Sequence, residues 1–215
     1  MHQIIPIGHN CLVAYHLKAL DARPVSLPLD WALTENYLGL DNALDILQTG
    51  FEGFLSKGVE QDYISPDGIE SKSVYIKEYD IEFIHQNWLQ DNFEGTSWRG
   101  SLTESFYMYN GLMQSRNDKT FIFSSDYCPD FENTLAKFQP IVDRFEKWLT
   151  DEGIPGKLVI VHAIPHGHPD KDIFYEHFSK LTGNRRIRNI AFEIDDSDGV
   201  YGNSQSFQEI LSKHL

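Results

Sequence analysis

The chain has 215 residues, 41% of them apolar and 23% charged, which is enough for one domain with a full core. Its 18 Lys and Arg stand against 32 Asp and Glu, a net charge of −14, which argues against nucleic acid and anionic membrane as partners. The two cysteines make no disulfide framework, no apolar run reaches the roughly 20 residues of a membrane span, and no signal-peptide pattern opens the chain, so a cytoplasmic protein with reduced thiols is expected.

In chain order, residues 3–7 read as a strand and 11–20 as a helix, with Gly8 turning the chain between them. Residues 24–27 look like a short strand, and a helical region follows Trp31. Asp41 can cap a helix that runs through Leu47 and ends at Gly50. Residues 58–72 are polar, with a turn at Ser65-Pro66-Asp67-Gly68. Strands are expected at 73–77 and 81–85, a long loop at 86–100 and a helix at 101–115.

The second half is plainer. Residues 120–123, 158–161 and 190–194 read as buried strands. Phe131, Leu135, Phe138, Val142, Phe145 and Leu149 recur at helical spacing over 131–149. Helices are expected at 170–181 and 204–214. This alternation predicts a single three-layer α/β domain over 1–215, with an insertion around 51–115. Its central sheet should be mostly parallel, or mixed through 73–85, with helices on both faces.

Cys11 is the most informative residue. Placed in the first turn of a helix directly after a strand, its thiol meets unsatisfied backbone N–H groups and the positive end of the helix dipole, which lower a thiol pKa. It needs a histidine within reach. The N–H of Cys11 and the Asn10 side chain are candidate oxyanion donors. His85 ends a strand, and His162 ends a central one.

The run Ile7-Gly8-His9-Asn10-Cys11-Leu12-Val13-Ala14, then Pro28-Leu29-Asp30-Trp31 and Phe83-Ile84-His85, resembles the motifs of a bacterial family of papain-like cysteine peptidases (DUF1796). Two departures stand out: Gln86 follows the histidine where the family commonly has Asp, and 101–115 lacks the arginines of a characteristic helix. The resemblance implies a thiol site more firmly than a peptide substrate. It favours His85 as the base for Cys11, with Asp30 orienting its ring beside Trp31.

Other signals compete. His166, His168 and Asp170 look like part of a metallo-hydrolase motif, but Lys171 stands where another histidine belongs. The run Glu193–Gly199 offers oxygens for Ca²⁺ or Mg²⁺ but lacks the full EF-hand spacing, and reads as a solvated turn rather than a cation loop. Trp31, Trp88, Trp98, Tyr75 and Tyr107 could line a sugar cleft.

The leading expectation is a Cys11–His85–Asp30 hydrolase or acyltransferase, with Asn10 assisting and His9, Trp31, Trp88 and His162 touching substrate. It would act on a small-molecule, peptide or glycan substrate without cofactor or metal. The alternatives are a non-catalytic or carbohydrate-linked binding protein in surface-polysaccharide assembly, and a metal-dependent hydrolase using His166 and His168.

Overall fold

A computed structural model describes residues 3–21, 27–30, 32–51, 53–64, 68, 70–83, 98–179, 186–195, 197 and 202–213. Four strands, β1 (Gln3–Pro6), β6 (Lys119–Asp126), β7 (Gly156–Pro165) and β8 (Ile187–Ile194), form one sheet in the order β1-β6-β7-β8. Every pair is parallel. β7 explains its own position: Leu158 through Ile164 are all buried, so both faces must be covered.

One face is covered by α1 (Leu12–Ala19) and α6 (Ser204–Ser212). Leu12, Val13 and Leu17 pack there with Ile122, Val159, Val161, Phe207 and Leu211. His16 is a satisfied core histidine. It meets Ser204 Oγ at 3.0 Å and stacks on Phe207. The other face is covered by α4 (Phe131–Asp151) and α5 (Lys171–Ser179), whose Phe138, Phe145, Phe174 and Phe178 pack on Phe121, Phe123, Leu158 and Ile160. Each such aromatic contributes roughly 1.5–3 kcal/mol by leaving water. α2 (Gly39–Thr49) joins this second layer and ends as expected at Gly50, in the left-handed region at φ 60°, where the Phe51 N–H reaches back to Ile46 O.

Residues 73–83 do not join the central sheet. They help build a separate antiparallel sheet, β2 (Ala32–Leu33), β5 (Ile81–Phe83), β4 (Glu70–Ile76) and β3 (Val59–Ile64), in that order. Three of these strands correct the sequence reading. β3 and the start of β4 fall in the polar stretch 58–72, because β3 is exposed along nearly its whole length and shows no burial period. β2 replaces the helical region expected after Trp31. Helix α3 (Trp98–Gln114) starts earlier than 101 and so takes in Arg99. The 24–26 part of the expected strand at 24–27 lies outside the described residues. No helix among the described residues is long and apolar enough to cross a membrane.

Candidate functional site

The site is built at the carboxyl ends of β1 and β6, where loops of a parallel sheet converge. Gly8 and His9 both adopt positive φ, 99° and 49°. For His9 that conformation costs on the order of 1–2 kcal/mol, so its surroundings must hold it. They do: its Nδ1 donates to the Thr34 carbonyl at 3.1 Å, its Nε2 lies 3.2 Å from Asp126 Oδ2, and its own carbonyl accepts the Thr34 N–H at 3.0 Å.

Asn10 is held as tightly. Its Oδ1 accepts the Leu12 N–H and the Ser124 hydroxyl, both at 3.0 Å, and its Nδ2 donates to Asp126 Oδ1 at 3.2 Å. Asn10 therefore satisfies a free N–H at the start of α1, as its residue type suggested. Asn36 completes the frame from the other side. Its Nδ2 donates to the Asp126 carbonyl and its Oδ1 accepts the Asp126 N–H, each at 3.0 Å. Asp126 thus ties three segments together with both its backbone and its carboxylate.

Cys11 sits inside this frame, directly before the first residue of α1, with its carbonyl accepting the first helical bond from Tyr15 N–H at 2.8 Å. It is 2% exposed, and neither it nor Cys128 is in a disulfide. Asp30 is 1% exposed, and its Oδ2 accepts the Leu27 N–H at 2.7 Å. His85, Trp31 and Trp88 lie outside the described residues.

His162 takes a different place. Along β7 the side chains of Leu158, Ile160 and Ile164 pack with α4 and α5, while Val159, Val161 and Ala163 pack with α1. His162 shares the face of Leu158 and Ile160. It is 1% exposed among Tyr37, Phe174 and Phe178, on the face opposite to α1, and the structure does not bring it to Cys11. Both ring nitrogens are engaged, Nδ1 with the Tyr37 hydroxyl at 2.9 Å and Nε2 with Asn189 Oδ1 at 3.0 Å. Burial pushes its pKa down to about 4, so the ring is neutral. With Nε2–H donating to Asn189, Nδ1 accepts from Tyr37.

The histidine-rich loop does not assemble as a metal centre. His166 Nδ1 meets Glu193 Oε2 at 3.1 Å, and Lys171 Nζ donates to the other oxygen of the same carboxylate at 3.0 Å. This ammonium holds the Glu193 carboxyl below its usual range. His168 instead accepts the Asp170 N–H and packs at a tilt against the Tyr127 ring. Among the described residues no group of three His, Cys, Asp or Glu is placed to hold a metal ion. Asp195 accepts the Ser197 N–H at 2.9 Å, so the described part of the acidic run makes a local turn.

Asp126, Asn36, Ser124 and Thr34 are the site residues that sequence reasoning missed. One signal was present: Ser124-Ser125-Asp126 is a polar cluster at the carboxyl end of a buried strand.

Residues 2–155 match the family described as putative papain-like cysteine peptidase (DUF1796). The match covers more than half of the chain. The chain belongs to this family. No curated protein and no solved structure matches it. Membership covers Cys11 and the whole frame around it, through Asp126, and stops just before β7.

Proposed function

We propose that this family member is a cysteine-dependent acyl hydrolase or acyltransferase with Cys11 as nucleophile, His85 as base and acid, and Asp30 as the group that orients His85. The seat of Cys11 carries the reading. A thiol at the start of a helix, in a loop held at positive φ by seven side-chain hydrogen-bonding contacts through His9, Asn10 and Asp126, is placed by a structure that a merely buried cysteine does not need.

The described strands support the partners. Thr34 binds the His9 carbonyl, and two residues earlier Ala32 pairs with Phe83. His85 follows Phe83 by two residues, a reach of at most about 7 Å. Asp30 precedes Ala32 by two residues. Asp30 and His85 therefore lead away from the same end of the antiparallel β2–β5 pair.

In the proposed reaction the Cys11 thiolate attacks the carbonyl carbon of an ester, thioester or amide. The C–S bond forms and the carbonyl electron pair moves to oxygen. The second Nδ2 hydrogen of Asn10 and the positive end of α1 face that charge. Collapse breaks the bond to the leaving group, which takes a proton from His85. Water or another acceptor then attacks the thioester, gives its proton to His85 and frees the thiolate.

The test is trapping with p-nitrophenyl acetate and intact-mass analysis. A gain of one acetyl group on Cys11, absent in Cys11→Ala and slowed at least tenfold in His85→Ala, is expected. Acetylation that ignores both substitutions contradicts the proposal.

A further inference from the structure

We propose that the acyl part of the substrate is apolar, a chain or side chain of about six to eight heavy atoms, bound in the cleft over the ends of β6, β7 and β8. This rests on the Cys11 reading above and adds the substrate class to it. The cleft has a volume of about 230 Å³ and is lined by Asp126, Tyr127, Ala163, Ile164, Pro165 and Ile194. At roughly 30 Å³ per small group, the share of a water in the liquid, that is room for about eight.

Ala163 and Ile194 lie in the apolar cluster that contains Leu12 and Val13 of α1, and Ile164 and Tyr127 in the cluster of the opposite layer, so the cleft spans the end of the sheet. Its wall selects this cleft over the cavity of about 280 Å³ lined by Asn36, Tyr37, Cys128 and Asp130. Asp126 lines the cleft and binds both His9 and Asn10, the two residues before Cys11. Asp126 is thus the boundary between the nucleophile's frame and the cleft.

The lining sets the chemistry. Both Asp126 carboxylate oxygens are engaged with His9 and Asn10, and the remaining wall is Tyr127 and four apolar residues. A polar acyl group would lose its water there without replacement partners, whereas an apolar one gains by burial.

Chloromethyl ketones test this, because their acyl side occupies the acyl cleft while the thiolate displaces chloride, forming C–S and breaking C–Cl. Rates of Cys11 labelling by chloroacetone, 1-chloro-2-octanone and N-acetyl-leucine chloromethyl ketone are measured by intact mass in a Cys128→Ser background. Each is divided by the rate with N-acetylcysteine. The octanone or the leucine reagent should exceed chloroacetone at least tenfold. A faster octanone assigns the cleft to an aliphatic chain, and a faster leucine reagent to an apolar side chain.

Ile194 is half-buried at the cleft edge, so Ile194→Trp fills the cleft. It should remove the preference, read as the ratio of the octanone or leucine rate to the chloroacetone rate of the same protein. Equal corrected rates for all three reagents, or a preference untouched by Ile194→Trp, overturn the cleft assignment and leave the nucleophile reading standing. Failure of every reagent to label Cys11 overturns the nucleophile reading itself, and this proposal with it.

Discussion

Acid should weaken this fold through one residue. His162 is fully buried, and its pKa falls from an ordinary 6.5 to about 4 because burial penalises the charged ring. Between those values the unfolded chain binds a proton that the folded chain refuses. Stability therefore rises with pH across this window and is lost as pH drops through it. Integrated from pH 7.5 to 4.5, the loss due to this ring is about 2.5 kcal/mol. That is a large part of a typical total of about 5–15 kcal/mol. Structurally, protonation puts a hydrogen on Nδ1, which must then stop accepting from Tyr37, in a pocket closed by Phe174 and Phe178. The assay is urea unfolding at half-unit steps between these pH values, for wild type and His162→Gln. Glutamine keeps donor and acceptor atoms but does not titrate. The variant is less stable at pH 7.5, yet its curve should fall by about 2.5 kcal/mol less on acidification. Parallel curves for the two proteins would refute the reasoning, because every other group titrates in both.

Tyr37→Phe removes only the hydroxyl that serves His162. It should cost about 1–2 kcal/mol in urea unfolding at neutral pH, since a buried ring nitrogen loses its partner. Gly39→Ala should cost about 2–3 kcal/mol by the same measure, because a Cβ there would clash with Thr34 Oγ1 and push Thr34 off His9. Arg144 joins Asp41, Asp45 and Gln48 of α2 to α4, but all of these groups are partly exposed. Arg144→Ala should therefore cost no more than about 1 kcal/mol, and the difference from wild type should shrink in 1 M salt.

Much of the central sheet was legible because burial writes a clear pattern. Leu158–Val161 is continuously apolar, as a strand covered on both faces must be, and the α4 stripe repeats at three and four. The second sheet was hidden for the converse reason. β3 reads Val59-Glu60-Gln61-Asp62-Tyr63-Ile64 and is exposed nearly throughout, so no apolar alternation marks it. β2 has two residues, too few for any period. Cys11 was legible from local punctuation alone. The frame around it was not, because Asn10 and Asp126 meet across 116 residues and His9 and Thr34 across 25. The side of β7 that His162 takes was not legible either, for a geometric reason. A strand apolar on both faces does not announce which side any one residue takes.

The central claim is that the fold activates the Cys11 thiol. The most direct measurement is the pH dependence of Cys11 alkylation by iodoacetamide in the folded Cys128→Ser protein, read by intact mass. The account predicts a rate that rises through an apparent pKa well below the free-thiol value of about 8.5. His85→Ala should move that inflection back toward the free value. An inflection at or above about 8.5 in the native protein, unmoved by His85→Ala, would contradict it.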